Sequence, residues 1–234
     1  DAPTRYDNGQ NGPPRHSIVS ASSPFLGTKP SFENAAKGFT GIEDDKDDGI
    51  ATFGPLATST TTYSTTVSVT NSGADAATAT LVGWIDFDKD GQFDGNEAAT
   101  ATVVGNTTGG TATLTWTGLT GLTAGSTYAR FRISTDTNLT ATGHIGTNRD
   151  SQSFGVLANG EVEDYAVTIQ APDRIGPSAT IGAINPSPRH TAVGQVNISF
   201  NERVKNVDIS DFRLTRDGAV VALTGLTVAG SGAN

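Results

Sequence analysis

The sequence is dominated by short segments in which apolar side chains alternate with Thr and Ser. Between Tyr63 and Thr70, the residues Thr65, Val67 and Val69 fall on one face of an extended chain, and Ser and Thr fall on the other. This period of two predicts a half-buried β-strand, because β-branched residues fit a pleated surface better than a helix. No segment shows a helical period. The chain can therefore build a core only by stacking sheets.

Further strands are predicted wherever the same alternation returns between Gly-rich turns. They are expected at 77–87, 101–104, 111–117, 127–134 and 162–169. The first fifty residues are rich in Pro and Gly and predict an irregular wrap. Short strands in this order indicate an antiparallel β-sandwich over residues 1–170.

A break in the pattern divides the chain. Residues 171–177 contain two prolines and a glycine, which interrupt any strand ladder, and predict a linker. Residues 178–234 alternate again, for example over Val196–Phe200. About 60 residues are few for a second sandwich, which takes about 100. We therefore expect an incomplete β-sandwich there.

Composition narrows the class of partner and of chemistry. The 24 acidic residues outnumber the 15 basic ones and leave a net charge of -9. This excess disfavours nucleic acid and anionic membranes as partners. The absence of Cys excludes disulfides and thiolate sites, and three His leave little for a zinc enzyme. No apolar stretch is long enough for membrane insertion in this segment. A Cys-free chain rich in Thr, Gly and Asp is typical of secreted or cell-surface bacterial proteins.

One twelve-residue segment, 86–97, fits the calcium-loop pattern D-x-[DN]-x-[DN]-G-x5-E at every constrained position. In such loops Ca²⁺ is held by side-chain oxygens at positions 1, 3 and 5, a backbone carbonyl at 7, a carboxylate at 9 and a bidentate Glu at 12. The predicted ligands are Asp86, Asp88, Asp90, Gln92, Asp94 and Glu97. The flanking segments are strand-like, so we expect a fixed structural calcium site between two strands, with Phe93 inserted into the core.

A second acidic region lies at Glu161, Glu163 and Asp164, and an acidic run spans residues 43–48. Glu163 is predicted on the core face of its strand, where a carboxylate needs a partner. An ion pair with Arg130 or Arg132 is favoured over a second calcium site formed by Glu163, Asp164 or the 43–48 run. For that run, a solvated loop is favoured.

The remaining candidate groups favour no catalysis. His16, His144 and His190 are far apart in sequence, are expected on the surface, and are accompanied by no nucleophile motif. We therefore predict that the chain is not an enzyme. Four aromatic residues could form a sugar-stacking platform, although core packing is favoured for the two Trp: Tyr63, Trp84, Trp116 and Tyr128.

The same residues resemble a bacterial extracellular family, the GEVED domain. The resemblance rests on Asp1–Pro3, Asp47–Ile50, Gly83–Gly91, Arg130–Ser134 and Gly160–Tyr165, which occur in family order. It covers about residues 1–170. It implies a non-catalytic β-sandwich accessory module of large secreted or surface proteins. The later part is similar to a bacterial Ig-like adhesin repeat, through Val196–Val204 and Asp211–Thr215, which implies an incomplete Ig-like β-sandwich at 178–234.

The predicted function is therefore a calcium-binding structural or adhesive module of a bacterial surface or biofilm-matrix protein. Its partners would be neighbouring domains of the same chain, and a glycan or another surface protein. Two alternatives remain open. One is a carbohydrate-binding accessory module of a secreted hydrolase. The other is a subunit of a self-assembling extracellular fibre, in which a neighbouring chain supplies a missing strand.

Overall fold

The computed structural model describes residues 2–7, 12–16, 23–29, 47–73 and 77–230. The described residues are nearly all strand, turn or extended chain, and no described helix reaches seven residues, so the predicted all-β sandwich class is confirmed. No described helix has the length and hydrophobicity to cross a membrane. Close contacts group the chain into two units, Asp1–Pro172 and Asp173–Asn234, and the boundary falls inside the predicted linker.

The described part of the first unit contains ten strands and three short 3₁₀ helices. The strands are β1 (Arg15–His16), β2 (Phe25–Leu26), β3 (Leu56–Ala57), β4 (Thr62–Asn71), β5 (Ala79–Ile85), β6 (Ala98–Val103), β7 (Thr107–Thr117), β8 (Gly125–Ser134), β9 (Val156–Leu157) and β10 (Glu161–Gln170). The 3₁₀ helices are Thr4–Tyr6, Gly95–Glu97 and Ser151–Ser153.

Two sheets form the sandwich. The larger has five strands in the order β3-β10-β8-β5-β6, and the smaller has three in the order β2-β4-β7. All pairs within them are antiparallel except the short parallel pair of β3 with β10. A separate parallel pair joins β1 to β9. Every strand predicted for this unit from its alternation is present. The longest pairings, of β4 with β7 and of β10 with β8, each join nine pairs of residues.

The main core lies between the two sheets. Val67 and Leu114 of the smaller sheet share one buried cluster with Leu81, Phe131 and Ile169 of the larger. Each of these five side chains is at most 1% exposed. The alternation of β4 is confirmed, since its odd-numbered residues are buried. Its even-numbered residues are exposed from Thr62 to Thr66 and become buried toward the end of the strand.

The central strand β5 is buried on both faces. Its odd-numbered side chains enter the main core, while Val82 and Trp84 point into a second buried cluster. That cluster also contains Phe93, as the sequence predicted, and Ala2 and Tyr6. Residues 2–7, here called the N-terminal segment, therefore pack on the outer face of the five-stranded sheet.

The second unit shows short strands and no buried residue within 173–230. Its strands are β11 (Ala179–Ile181), β12 (Ile198–Phe200), β13 (Leu214–Arg216) and β14 (Ala219–Val221), with a 3₁₀ helix at Ile209–Asp211. They form two antiparallel pairs, β11-β12 and β13-β14. The incomplete Ig-like sandwich remains a prediction for this part.

A glycine in β5 tests how tightly the main core is packed. A Cβ on Gly83 would lie 2.6 Å from side-chain atoms of Leu114 and Phe131, whereas Gly54 has no atom within 4 Å of that position. We expect Gly83→Ala to lower the free energy of unfolding by about 1–3 kcal/mol, because the core must shift to admit a methyl group.

The matched control is Gly54→Ala, which should leave the free energy unchanged or raise it by up to about 1 kcal/mol. Urea unfolding of the two variants measures both effects. Equal stability of the two variants would contradict this picture of the core.

Candidate metal site

Residues 86–97, here called the acidic loop, connect β5 to β6. Asp86 follows directly on the last residue of β5 and is fully buried. Its backbone N–H donates to the carbonyl of Tyr128 at 3.1 Å, and the Thr127 hydroxyl donates to its carbonyl at 2.6 Å. Strand β8 therefore fixes the first residue of the loop to the five-stranded sheet.

Glu97 closes the other end of the loop. The Trp116 indole N–H donates to the Glu97 carbonyl at 2.7 Å, which ties this end to β7. The Glu97 carboxylate turns inward and accepts from the N–H of Phe87 at 2.6 Å and from the N–H of Asp94 at 3.1 Å. Both ends of the loop are therefore held by the sandwich.

Between these ends, the backbone coils so that side-chain oxygens turn inward. Lys89 and Gly91 adopt positive φ values of 66° and 85°. At position 91 glycine tolerates this conformation at no steric cost. The N–H of Asp90 donates to Asp88 Oδ1 at 3.0 Å, and the N–H of Gln92 donates to Asp90 Oδ1 at 2.8 Å. The sharp turn at Gly91 is the one that the loop pattern requires.

The five predicted carboxylates come together in two overlapping groups. One oxygen from each of Asp86, Asp88 and Glu97 lies within 4.8 Å of the others, and the same holds for Asp88, Asp90 and Asp94. Asp88 belongs to both groups, so the carboxylates share one centre of negative charge. This arrangement can hold a cation.

Gln92 was predicted to contribute only its backbone carbonyl, and that role stays a prediction. Its side chain is occupied elsewhere. The amide nitrogen donates to Asp90 Oδ2 at 2.7 Å, and Oε1 accepts from Arg149 Nε at 3.3 Å.

The electrostatics of the loop disfavour its ionised form when no cation is bound. The pKa of Glu97 is raised to about 8, chiefly by burial and also by repulsion from Asp86 and Asp88, against the hydrogen bonds that the carboxylate accepts. Burial, followed by repulsion from Asp90, Asp88 and Asp86, raises the pKa of Asp94 to about 6. A bound cation would offset both effects because it attracts the ionised carboxylates.

One buried atom points to a missing partner. Asp94 is 2% exposed, and its Oδ1 has no hydrogen-bond donor among the described residues. Leaving a buried acceptor without a partner costs about 1–3 kcal/mol, and more for a charged group. The other oxygens of the loop are of the kind that hard cations prefer. The donor set therefore fits a hard metal ion.

The structure corrects the predicted partner of Glu163. The register of β10 on β8 places Asp164 opposite Arg130 and Glu163 opposite Phe131. Asp164 is therefore the residue that pairs with Arg130, through two contacts of 2.7 Å. The predicted ion pair of Glu163 with Arg130 or Arg132 is wrong, because the Arg side chains lie on the other face of the sheet.

Glu163 binds backbone donors and a phenol. Its Oε1 accepts from the N–H groups of Asp48 at 3.1 Å and Gly49 at 3.2 Å, and its Oε2 accepts from the Tyr165 hydroxyl at 2.7 Å. Residues 43–46 of the predicted acidic run lie outside the described residues. Among the described residues, the carboxylate groups that could hold a metal ion lie in the acidic loop, and the second calcium site stays a prediction.

The aromatic residues considered for a sugar platform are mostly buried. Trp84, Trp116 and Tyr63 are 0%, 3% and 4% exposed, as core packing predicted. Two of the three His were wrongly expected at the surface. The ring of His16 is buried, which lowers its pKa to about 3, with the charge of Arg132 adding to the effect. His144 is bound to Asp150.

Two residues at the acidic loop were not predicted. The Tyr6 hydroxyl donates to Asp86 Oδ2 at 2.6 Å, and Arg149 contacts Gln92. Both come from distant parts of the chain. Local sequence patterns carry no signal for such contacts, because only the fold brings these residues to the loop.

Comparison with known families identifies the segment that carries the loop. Residues 80–168 match the family model of the GEVED domain. The match begins in β5 and ends in β10, so it contains the acidic loop and the Glu161–Asp164 segment. The predicted GEVED resemblance is confirmed for these residues. The adhesin-like repeat and the bacterial origin remain predictions. No curated protein and no solved structure matches the chain.

Glu163 allows a pH test outside the acidic loop. Burial raises its pKa to about 8 from an ordinary 4.5, against its three hydrogen bonds. The folded state keeps a proton that the unfolded chain releases. The stabilisation is therefore fully present below pH 4.5 and is lost as pH rises through about 8.

We expect wild type to lose stability relative to Glu163→Gln as the pH rises from about 5 to about 8.5, because Gln does not titrate. Urea unfolding at constant calcium measures the difference at each pH, and constant calcium keeps the acidic loop equal in both proteins. A difference that does not change with pH would exclude the raised pKa.

Proposed function

We propose that the first unit is a calcium-binding structural module of a bacterial extracellular or cell-surface protein, with a role in adhesion or assembly. The observation that carries the proposal is the acidic loop: five carboxylates, three of them buried, converge between two strands of one sheet. The unpartnered Oδ1 of Asp94 supports an ion at the centre of the loop.

Calcium is the cation that the donors favour. The loop offers only oxygen ligands, and it supplies them at the spacing of a twelve-residue calcium loop. Ca²⁺ takes six to eight oxygens in flexible geometry, whereas Mg²⁺ prefers an octahedron and usually keeps several waters. Asp86, Asp88, Asp90, Asp94 and Glu97 would bind through their carboxylates, and Gln92 through its backbone carbonyl.

The function in this proposal is mechanical and involves no catalytic step. The acidic loop is held at both ends by the sandwich, so a bound ion would stiffen the connection between β5 and β6 rather than open a surface. The chain has no Cys. Calcium would take the place that disulfides hold in many secreted domains.

Calcium should raise the melting temperature of the protein. Extracellular modules bind calcium with dissociation constants of about 10⁻⁴ to 10⁻³ M. At about 1 mM calcium and the tight end of that range, binding adds about 1.4 kcal/mol to the free energy of unfolding. We expect the melting temperature to be about 3–6 °C higher in calcium than in chelator.

Two variants should abolish this difference, and one should keep it. Asp86→Ala removes a buried ligand, and Asp90→Asn removes the charge of an exposed one while keeping the Oδ1 that accepts from the N–H of Gln92. Asp136→Asn, in the loop after β8, is the matched control. Identical melting of wild type in calcium and in chelator would refute the proposal.

A second candidate, fibre assembly by strand complementation, is favoured by one observation. Eight of the eleven exposed large hydrophobic side chains among the described residues lie between Ile175 and Val228. A strand from a neighbouring chain could cover them. Size-exclusion chromatography in calcium tests this candidate, and a strictly monomeric protein would contradict it.

A further inference from the structure

The N-terminal segment contacts the acidic loop through a buried tyrosine. Tyr6 is 1% exposed, and its hydroxyl donates to Asp86 Oδ2 at 2.6 Å. Its ring lies against that of Phe93, with 4.7 Å between the ring centres. One side chain of the segment therefore reaches both the first carboxylate of the loop and the residue that inserts the loop into the second cluster.

Arg149 joins the same two parts of the chain. Its guanidinium donates to the carbonyl of Tyr6 at 2.6 Å and to the carbonyl of Arg5 at 2.8 Å, while Nε donates to Gln92 Oε1 at 3.3 Å. Arg149 also forms a backbone bridge with Asp94. The guanidinium is thus fixed by the segment on one side and by the acidic loop on the other.

Gly91 brings the segment against the sharpest turn of the loop. A Cβ on Gly91 would lie 2.7 Å from Cδ of Arg5. The turn and the Arg5 side chain are therefore in close contact. A shift of this turn would therefore displace the Arg5 side chain.

The orientation of Asp86 depends on both partners. Its Oδ2 accepts from the Tyr6 hydroxyl and from the N–H of Gly91 at 3.1 Å, and its Oδ1 accepts from the N–H of Lys89 at 2.6 Å. Among the described residues, Tyr6 is the donor to this carboxylate that lies outside the loop. Tyr6 therefore connects the Asp86 side chain to the cluster on the outer face of the sheet.

We propose that the N-terminal segment is part of the cation site, with Tyr6 as a positioning residue for Asp86, so that segment docking and calcium binding stabilise one another. The inference rests on the proposed function. The coupling is reciprocal by thermodynamic necessity: if the docked segment strengthens calcium binding by some factor, calcium strengthens docking by the same factor.

The segment has anchors that do not involve the acidic loop. The backbone N–H of Ala2 donates to Asp164 Oδ2 at 2.9 Å, and Asp7 pairs with Arg130 at 3.2 Å. Removal of the Tyr6 hydroxyl alone should therefore leave the segment in place and the protein folded. This makes Tyr6→Phe a variant that tests positioning rather than folding.

Calcium titration by calorimetry compares Tyr6→Phe with Tyr63→Phe. Tyr63 is also a buried tyrosine, and its hydroxyl donates to a backbone carbonyl, that of Gly54, at 3.2 Å. We expect Tyr6→Phe to weaken calcium binding about 3- to 10-fold, the loss typical of one hydrogen bond. Tyr63→Phe should bind as wild type does, even if both variants melt at lower temperature in chelator.

Trypsin measures the reverse effect on the segment. Cleavage after Arg5 requires the segment to open, so its rate follows the open population. We expect calcium to slow this cleavage in wild type and to slow it less in Tyr6→Phe. Cleavage after the exposed Arg174, followed by mass spectrometry in the same sample, should not respond to calcium.

The possible results separate the two proposals. If wild type gives no calcium binding by calorimetry, the proposed function itself fails. If wild type binds calcium but Tyr6→Phe binds equally well, and cleavage after Arg5 ignores calcium, the coupling is refuted and the calcium site stands. A purely structural Tyr6 would lower the melting temperature equally in calcium and in chelator, and would leave the affinity unchanged.

Discussion

The ion pair of Arg130 with Asp164 is the interaction on which the outer face of the five-stranded sheet depends. Both residues are buried, and the two contacts of 2.7 Å join neighbouring strands. The same guanidinium donates to the Ser153 carbonyl and lies over the ring of Phe93. Breaking one partner of a buried pair typically costs about 3–5 kcal/mol, because the other charge stays buried. The Arg130 side chain therefore contacts β10, the 3₁₀ helix that contains Ser153, and the acidic loop at the same time.

The outer face of the five-stranded sheet and the acidic loop beside it both contain buried ionisable groups, which need partners of opposite charge. Arg130 is neutralised by the carboxylates of Asp164 and Asp7, while no ion pair to a carboxylate of the acidic loop is formed within the described part of the chain. Lys89, which lies within the loop, donates instead to the carbonyls of Thr123 and Ala124 at 2.5 and 2.7 Å. Burial, with repulsion from Asp86 and Asp88, raises the pKa of Glu97 and so disfavours the ionised loop. An ion bound from solution would offset this effect.

The sandwich and the convergence of the loop carboxylates were predictable because their signals are local. Alternation over Thr65, Val67 and Val69 reports which face is buried, and loop spacing reports which oxygens can converge. The partner of Glu163 was missed because it depends on the cross-strand register of β8 and β10, and a shift of one residue exchanges the faces. Tyr6 and Arg149 were missed because no local pattern relates a residue to a loop far along the chain.

The contact between Ala2 and Asp164 has a consequence for how the first unit would carry tension. It joins the N-terminal segment to β10, the strand that leads toward the second unit. A force pulling on the chain at either side of this unit would pass along β10 and through the contacts of residues 2–7. The intervening sheets would bear little of the load until those contacts rupture. The contacts of the N-terminal segment would then determine the force at which the first unit unfolds.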